Sequence, residues 1–552
     1  MLEEAGAPAW RWARLAAALV LLNASLTFVS VWPTLAVRPS AHLSFEAALL
    51  VLGIAIAWTV RRATLTARSI RMLAILWVVL IVSRYLDVST RALYGRGVSL
   101  YWDLKLLPDV GKMFANVARP SVLLPVAAGL VVVPIALYLP MRWAIRQVSQ
   151  ASANPHACRL LIAGASAVLI AGVVVTAAAP AARSHAWAAP VAAAIGDEIV
   201  EFVSEATGRN QKPLPPAPSV QNDLSRVSGA NIVILFVESY GMTSWERPEF
   251  QPVLVPARDT LASAIAGTGR SIVTGVVEST TFGGESWLAH ISLLSGTEVR
   301  DPEVSRRLMA EHRETLIAPF RRAGYRTFGI FPGLKAAWPE GKFYGFDRIV
   351  GAPDLGYKGP PFGWWDVTDQ FVLARTDEIA RTHPPGAPIL VFLPTISTHT
   401  PFTPVPPYQP DWSRLLTATP YDEDDLRKAY EATPDWSNLG PDYARALAYV
   451  HETLAGYLRR HERDDMVLVV LGDHQPPALV SGEGASWNVP VHVIASRPAV
   501  LESLRSHGFR DGLVPHGPAL ARMDTLMPIL LDAFGNTDPM DSGSPRATSR
   551  GE

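Results

Sequence analysis

Long apolar stretches dominate the first third of the chain, and the remainder alternates short apolar runs with amphipathic segments. A helix needs about 20 apolar residues to cross the hydrocarbon core of a bilayer. Five stretches approach this length, at residues 15–36, 43–60, 72–88, 122–143 and 160–179. The pattern therefore predicts a helical membrane domain of five spans over residues 1–180.

Arginines are concentrated in every second connection between these stretches. They are Arg11, Arg14, Arg61, Arg62, Arg68, Arg71, Arg142, Arg146 and Arg159. The positive-inside rule makes those connections cytoplasmic, so five crossings leave everything after about residue 180 outside the cytoplasm. The connection 89–120 lies on the outer side and mixes aromatic and charged residues. We interpret it as a membrane-interface anchor, with the seating of a lipid substrate as the alternative.

Three further regions follow the membrane domain. Residues 181–229 combine a short amphipathic pattern at 191–206 with a proline-rich stretch at 212–219, which predicts a juxtamembrane helix and a semi-rigid linker. Residues 230–536 are expected to form one domain outside the cytoplasm, and residues 537–552 are predicted to be a disordered tail.

The region from residue 230 reads as an α/β domain. Its strand candidates are 232–237, 272–277, 326–331, 389–394, 466–471 and 489–495. Its helix candidates are 255–266, 287–294, 304–323, 366–382, 441–460 and 521–533. Continuous apolar strands are typical of sheets buried on both faces, and their alternation with helices predicts a mainly parallel sheet. Ligands of such sheets bind beyond the carboxyl ends of the strands.

Composition narrows the class of protein. Charged residues make up only 18% of the 552 residues and the mean hydropathy is +0.18, which supports a membrane portion. The formal net charge of −1 gives no electrostatic reason to expect nucleic-acid binding. The single cysteine, Cys158, excludes an intramolecular disulfide framework and a cysteine-based zinc cluster.

Two predicted strands end in groups that could bind a metal ion. Glu238 follows the first strand, and Asp473 and His474 follow Gly472 at the end of another. Oxygen and nitrogen ligands of this kind suit zinc or manganese more than calcium. The plain alternatives are a strand-end cap for Glu238 and a turn for Asp473 and His474. Metal binding is the better interpretation of the second pair.

Ser286 follows Gly283 and Gly284 at the start of a predicted helix, where backbone N–H groups favour a developing anion. It is a candidate nucleophile, although serine is also a preferred N-cap. Thr280 and Thr281 are rival nucleophiles.

Other side chains could line the same edge. His399, after the strand at 389–394, could bind a substrate oxygen or protonate a leaving group. Trp365 and Asp369 form a weaker group that either lines the pocket or caps a helix. His290 is expected to support the Ser286 helix, and His492, inside a strand, is expected to be a core histidine.

In their order along the chain, these motifs resemble a known family. Glu238 at a strand end, Gly283-Gly284-Glu285-Ser286-Trp287, Thr398-His399-Thr400-Pro401-Phe402 and Gly472-Asp473-His474-Gln475 are similar to membrane-bound sulfatase-like transferases of the alkaline phosphatase superfamily. Within it, lipoteichoic acid synthases and periplasmic phosphoglycerol transferases are the nearest in kind, with phosphoethanolamine transferases more distant. Together with the five spans, the resemblance covers most of the chain.

The resemblance implies a set of site residues. Glu238, Ser286, Asp473 and His474 would hold one divalent metal ion, with manganese favoured and magnesium or zinc as alternatives. Ser286 would be the nucleophile, where the family usually has threonine. His399 would be catalytic or bind phosphate, with Trp365, Asp369 and Trp287 also in contact with substrate.

The sulfatase signature is present in length but incomplete in residues. Leu288 and His290 stand where that signature has proline and arginine, so conversion of Ser286 to formylglycine is not expected, nor is hydrolysis of sulfate esters. Phosphoethanolamine transferases often carry several disulfides outside the cytoplasm, which Cys158 alone cannot form. These departures favour phosphoglycerol transfer.

The function implied is transfer of a phosphoglycerol head group from phosphatidylglycerol to a periplasmic or cell-surface glycan, through a covalent Ser286 intermediate with release of diacylglycerol. The protein would be a multi-pass protein of a bacterial inner membrane with its catalytic domain in the periplasm or outside the cell. Alternatives are a phosphoethanolamine transferase acting on lipid A or a glycan, a sulfatase or phosphodiesterase, and a non-catalytic membrane receptor.

Overall fold

The computed structural model describes residues 9–105, 107, 111, 120–178, 186–207, 213–363, 365–381 and 386–536. The chain divides into two compact units. The first comprises Met1–Ala92 and Arg96–Gln211, and the second comprises Leu93–Gly95 and Lys212–Glu552. The predicted disordered tail, 537–552, lies outside the described residues, as do parts of the predicted linker at 181–185 and 208–212.

The described part of the first unit is mainly helical. Its long helices are α1 Ala9–Ala24, α2 Phe45–Arg61, α3 Ala67–Tyr94, α4 Pro120–Ala151, α5 Pro155–Ala178 and α6 Val191–Thr207. Three helical segments among the described residues are long and apolar enough to cross a membrane: Ala67–Tyr94, Leu124–Ala151 and Pro155–Ala178. At 16 and 17 residues, α1 and α2 are shorter, so the number of five spans stays a prediction.

The first predicted span, 15–36, is wrong beyond Ala24. The chain there leaves the helix and forms a hairpin of β1 Phe28–Ser30 and β2 Val37–Pro39. Asn23 ends the helix through its side chain, which donates to His42 O at 2.8 Å and accepts from Ser44 N at 2.9 Å. Such side-chain bonds compete with helical ones, and Pro33 could not continue a helix in any case. Hydropathy alone does not register either effect.

The second unit is built around a nine-stranded sheet in the order β10-β4-β9-β8-β3-β7-β5-β6, with β11 paired to β4. Its strands are β3 Asn231–Val237, β4 Ser271–Glu278, β5 Arg326–Phe331, β6 Arg348–Gly351, β7 Ile389–Pro394, β8 Met466–Gly472, β9 Asn488–Ala495, β10 Arg510–Asp511 and β11 Ala521–Arg522. All six strands predicted from the sequence are present.

The sheet is mixed rather than wholly parallel. Strands β8, β3, β7, β5 and β6 form parallel pairs, whereas β9 pairs antiparallel with both β8 and β4. The connection from β8 to β9, residues 473–487, contains only the four-residue helix Ala478–Ser481. A parallel return normally needs a longer crossover, so this connection reverses the strand. Because β4 and β8 both run against β9, they point the same way, and their carboxyl ends lie at the same edge as that of β3.

Helices cover both faces of the sheet. They are α7 Thr243–Glu246, α8 Gln251–Gly267, α9 Ser286–Ser295, α10 Pro302–Ala310, α11 Ile317–Arg322, α12 Ala352–Leu355, α13 Asp369–Arg381, α14 Glu423–Glu431, α15 Gly440–Arg460, α16 Ala478–Ser481, α17 Pro498–Ser506 and α18 Leu526–Phe534. The predicted helix 304–323 is two helices, α10 and α11, and the predicted helix 521–533 begins only at Leu526 because residues 521–522 form β11.

Each face of the sheet has its own apolar core. In β3, Val233, Leu235 and Val237 pack into one core, whereas Ile232, Ile234 and Phe236 pack into the other. This alternation explains why the strand is apolar at every position. With both faces sealed, the carboxyl edge is where polar groups can gather.

Candidate active site

Three side chains with metal-ligating atoms meet at the carboxyl edge of the sheet. Their ligand atoms, in Glu238, Asp473 and His474, all lie within 4.8 Å of one another. His474 Nε2 is 3.3 Å from Glu238 Oε1 and 3.7 Å from Asp473 Oδ1. All three residues are buried. Each of them was predicted from the sequence as a candidate ligand, and the fold brings the three together.

The pairing of β3 with β8 sets this geometry. Val237 stands opposite Gly472, so the next residue of each strand, Glu238 and Asp473, enters the same space. A Cβ atom at Gly472 would lie 1.8 Å from the carbonyl oxygen of Tyr240. Only glycine can therefore occupy the position before Asp473, since any larger residue would collide with the backbone of the turn after β3.

Ser286 completes the group from the other side. Its hydroxyl donates to Glu238 Oε2 at 2.6 Å and lies 3.1 Å from His474 Nε2. Ser286 is the first residue of α9, and the turn before it is unusual: Gly283 has φ 70° and Glu285 has φ 58°. A non-glycine residue in the left-handed region is strained by order of 1–3 kcal/mol and is characteristic of functional turns. The turn aims the Ser286 hydroxyl at the three ligands.

Backbone groups hold the ligands in place. Asp473 Oδ1 accepts from the N–H groups of Ser239 at 2.8 Å and His474 at 2.6 Å. His474 Nδ1 lies 2.7 Å from the carbonyl oxygen of Gln475, a contact in which the ring nitrogen donates. In the neutral ring this contact leaves the Nε2 lone pair on the side of the carboxylates, where a metal ion would accept it, as in metal-binding histidines. The Thr398 hydroxyl donates to the backbone carbonyl of Glu238.

The proton affinities in this group depend on one another. Burial opposes a charge on His474, but the Asp473 and Glu238 carboxylates raise its pKa to about 9. Burial, reinforced by the nearby Glu238 charge, raises the pKa of Asp473. Burial opposes ionisation of Glu238 as well, yet the His474 imidazolium lowers its pKa. The two carboxyl groups thus share the His474 imidazolium as their compensating charge. A bound metal ion would reduce the remaining repulsion between them.

The donor set fits one divalent cation. Asp473 Oδ2 is buried and has no hydrogen-bond partner among the described residues, although it lies beside the other ligands. Leaving such an oxygen unpaired costs about 1–3 kcal/mol, and more when it is charged, unless a ligand fills the place. Two carboxylates, one imidazole and one hydroxyl match zinc or manganese. No other group of this kind occurs in the part of the chain that the structure describes.

His399 lies near the metal ligands. The Glu238 and His474 charges both act on its pKa, which burial, the largest influence, lowers. Its Nδ1 donates to the carbonyl oxygen of Thr400 at 2.8 Å. The Trp365 ring stands edge-on to it, with ring centroids 6.0 Å apart. The structure therefore brings together two of the side chains that were expected to contact substrate.

Asp369 and Trp287 occupy different surroundings. Both carboxylate oxygens of Asp369 accept backbone N–H groups, from Ile396 at 2.8 Å and from Ser397 at 3.1 Å. The side chain is buried, and burial raises its pKa to about 6. In this position Asp369 anchors the loop that carries His399. Trp287, next to Ser286, is 39% exposed and available to a ligand.

The rival nucleophiles are engaged elsewhere. The Thr281 hydroxyl donates to Gly284 O at 2.6 Å, and the Thr280 hydroxyl lies 3.5 Å from that of Ser292. His290 is buried against Phe236, with ring centroids 4.6 Å apart. His492 is a satisfied core histidine, as predicted, because its ring nitrogens contact the hydroxyls of Tyr240 and Thr274.

Sequence reasoning missed the supporting residues Ser239 and Thr398. Ser239 has φ 56°, and besides its N–H bond to Asp473 its hydroxyl donates to Glu238 Oε1 at 3.2 Å. Both residues adjoin named site residues in the sequence, and that adjacency was the one available signal. Their roles depend on contacts between separate strands, which the sequence pattern does not show.

Part of the chain is similar to a known family. Residues 273–493 match the family model described as Sulfatase. This range includes Ser286, Asp473 and His474, while Glu238 lies before it and is placed by the structure. Over these residues the second unit is similar to the Sulfatase family. A search of curated proteins by sequence gives no significant match.

Several solved structures are similar to the chain. The lipooligosaccharide phosphoethanolamine transferase EptA from Neisseria meningitidis is 14% identical over 95% of both chains, with a TM-score of 0.43. The lipoteichoic acid synthase LtaP from Listeria monocytogenes is 14% identical over 53% of this chain and 70% of its own, with a TM-score of 0.35. The phosphoglycerol transferase GacH from Streptococcus pyogenes is 12% identical over 54% of this chain and 72% of its own, with a TM-score of 0.32.

Proposed function

We propose that the protein is a membrane-associated phosphotransferase that moves a phosphoglycerol head group from phosphatidylglycerol to a glycan hydroxyl. The observation that carries the proposal is the position of the Ser286 hydroxyl, 2.6 Å from Glu238 and 3.1 Å from His474, within a set of divalent-metal ligands. A serine hydroxyl is a weak nucleophile and needs such an environment.

Glu238, Asp473, His474 and Ser286 would hold the metal ion, for which we propose manganese. When bound, a divalent cation lowers the pKa of a coordinated hydroxyl and stabilises charge on the phosphoryl oxygens. The strained turn at Glu285 and the start of α9 fix the Ser286 oxygen before substrate arrives. Backbone N–H groups at the start of that helix favour the anionic phosphate.

The proposed reaction has two balanced halves. Ser286 Oγ releases its proton to solvent and attacks the phosphorus of phosphatidylglycerol. An Oγ–P bond forms, the P–O bond to diacylglycerol breaks, and His399 gives the departing alkoxide a proton. A glycan hydroxyl then attacks the same phosphorus and gives its proton to His399, and Ser286 regains a proton from solvent. The products are diacylglycerol and a phosphoglycerol-substituted glycan.

The contacts of the remaining predicted residues fit secondary roles in this reaction. Trp365 borders His399 and Trp287 is exposed beside Ser286, so both are proposed to contact the donor head group or the acceptor. Asp369 is proposed as a positioning residue, since its carboxylate holds the backbone of the loop ahead of His399.

The membrane part of the proposal rests on the apolar helices and the arginine pattern. Three described helices can cross a membrane, and the two shorter helices α1 and α2 are proposed as additional spans. With five crossings, the positive-inside rule puts the second unit outside the cytoplasm of a bacterial cell. A phospholipid donor suits that compartment, because transfer of its head group needs no nucleoside triphosphate.

Substitution of Ser286 tests the proposal most directly. Membranes containing the full-length Ser286→Ala protein should release no diacylglycerol from labelled phosphatidylglycerol above background. Thr280→Ala is the matched control, because it removes a nearby hydroxyl that contacts Ser292 and not the ligands, and it should retain activity. Full activity of Ser286→Ala would refute the assignment of the nucleophile.

Product analysis separates the remaining functions. Transfer of label to an added glycan supports a transferase, whereas free glycerol phosphate with and without glycan would indicate a phosphodiesterase. A parallel assay with labelled phosphatidylethanolamine distinguishes the two head groups. Mass spectrometry of the peptide containing residue 286 should find unmodified serine, and formylglycine there would instead support a sulfatase. Ligand binding without turnover or a metal requirement would indicate a receptor.

A further inference from the structure

A cavity of about 360 Å³ lies in the first unit, between the start of α1, the end of α4 and the beginning of α5. Its volume is within the range of small-ligand sites, about 300–1,000 Å³. Its lining includes Trp10, Arg11 and Arg14 of α1, Gln147 and Gln150 of α4, and Asn154 just before α5. None of the residues assigned to the phosphotransfer reaction belongs to this cavity.

The lining carries positive charge without a matching acid. Arg11 and Arg14 are its charged side chains, and no aspartate or glutamate lines it among the described residues. Both guanidinium groups lie over the Trp10 ring, at 5.4 Å and 4.7 Å from its centroid. In the part of the chain that the structure describes, neither has an ion pair or hydrogen bond. Two adjacent cations held on an aromatic ring therefore keep their N–H donors available to an anion.

Neutral donors and apolar groups complete the lining. Gln147 and Gln150 contribute amide groups from the last turns of α4. Asn154 Oδ1 accepts from the N–H groups of His156 at 2.9 Å and Ala157 at 3.1 Å, so the side-chain NH₂ group remains as a donor. Leu15, Ala151 and Ala157 supply the apolar part. This combination suits a ligand with an anionic head and an apolar body.

We propose that this cavity binds the phosphate group of an anionic phospholipid. Arginine is suited to phosphate because its planar fork can donate two parallel hydrogen bonds. Basic pockets between membrane helices at the cytoplasmic side are typical binding places for anionic head groups. The arginine-rich helix ends place the cavity at the side that the positive-inside rule assigns to the cytoplasm. It would be a lipid site separate from the donor site of the proposed transferase, and it does not depend on that function.

Binding of short-chain phosphatidic acid to the full-length protein in detergent tests this site. Dioctanoyl phosphatidic acid carries the phosphate but no head group to transfer, and calorimetric titration gives its Kd. The Arg11→Gln/Arg14→Gln double variant should bind about tenfold more weakly, and dioctanoyl phosphatidylcholine should bind weakly to both proteins. Titration with inorganic phosphate distinguishes the source, since a lipid site should bind it at least tenfold more weakly than phosphatidic acid.

A matched control separates a built pocket from general attraction. Arg68→Gln/Arg71→Gln removes the same charge from exposed positions that do not line the cavity, and it should leave the Kd within about twofold. Equal weakening in both double variants, or no weakening in either, would overturn the proposal. Tight binding of inorganic phosphate would replace the lipid by free phosphate as the ligand.

Two gentler variants keep the proposal testable if the double variant does not fold. Arg14→Lys retains the charge but loses the two-pronged donor, and Gln150→Ala removes one amide without changing charge. Each should weaken phosphatidic acid binding about threefold while the elution profile stays that of the native protein. Unchanged affinity in both would show that the charge alone, and not the pocket, attracts the lipid.

Discussion

Two buried histidines in the second unit, His474 and His492, show how the same side chain can serve a reactive site or a core. Each is almost completely buried. Near His474, two carboxylates outweigh the effect of burial and raise the pKa to about 9. His492 lies one strand away in β9, bonded to the Tyr240 hydroxyl at 2.9 Å and the Thr274 hydroxyl at 2.8 Å, and burial lowers its pKa to about 3.

The difference shows that burial alone does not distinguish the site from the core. The site is distinguished by buried polar atoms that lack a hydrogen-bond partner or a compensating charge. Both ring nitrogens of His492 have a neutral hydroxyl as hydrogen-bond partner, so the ring needs no further ligand. At His474 the neighbouring Asp473 keeps one oxygen without a partner among the described residues, and a second carboxylate stands beside it. An unsatisfied acceptor in a buried group of like charges is costly for folding. Such a group is tolerated where a bound cation compensates the negative charge.

The largest expected effect comes from removing the negative charge of Asp473. Asp473→Asn should lower metal content to background and reduce head-group release by at least about 100-fold. The metal-free variant should be as stable as the metal-free native protein or more so, because it loses one of two neighbouring carboxylates. Elemental analysis, release of label from phosphatidylglycerol, and thermal unfolding with and without chelator measure these three quantities.

Asp442→Asn is the control for this prediction. Asp442 is also buried with an unpartnered Oδ2 among the described residues, but Arg445 pairs with its other oxygen. Its replacement should leave metal content unchanged. Equal metal loss in both variants would mean that a buried, unpaired carboxylate oxygen does not distinguish the site from the core.

A smaller effect, on stability alone, is expected at the core histidine. His492→Leu leaves the Tyr240 and Thr274 hydroxyls short of one partner each, although Trp245 and Gly512 still contact them. The free energy of unfolding should fall by about 2 kcal/mol. Metal content should not change, because no ligand contacts His492. Denaturant unfolding and elemental analysis test both parts, and loss of metal with retained stability would contradict the comparison.

The sequence allowed the ligands to be predicted because each lies directly after a strand. Glu238 and Asp473 end apolar runs, and strands running the same way deliver their ends to one edge. The reversal of β9 was missed, although the short connection 473–487 is visible in the sequence. The helix end at Ala24 was missed because hydropathy does not register the hydrogen bonds of Asn23.

Contacts between distant segments could not be predicted. The carboxylate of Asp369 bonds the backbone 27 and 28 residues away, because the start of α13 lies beside the loop that follows β7. The unpartnered oxygen of Asp473 likewise emerges only when three segments meet. Periodicity describes which face of an element is buried, but it does not say which polar atoms find partners.

A third histidine refines the comparison and gives the smallest expected effect. His461 also lies between two carboxylates, with Nε2 3.1 Å from Asp377 Oδ2 and Nδ1 2.5 Å from Asp464 Oδ2. Arg460 pairs with the same Asp377 oxygen at 3.0 Å. The negative charge of Asp377 is therefore already compensated, and a metal ion is not needed there. Burial opposes protonation of the ring, but the hydrogen bonds to Asp377 and Asp464 raise its pKa above 6.5.

A raised histidine pKa stabilises the fold at low pH. The contribution of His461 should be fully present below about pH 6.5, its unfolded value, and should disappear as the pH rises through the folded pKa. His461→Gln should therefore be less stable than the native protein near pH 6, by about 0.2–1 kcal/mol, and equal to it at high pH. The exposed His516→Gln serves as control and should follow the native profile in denaturant unfolding at each pH. A constant gap across the range would show that the ring acts through packing and not through its charge.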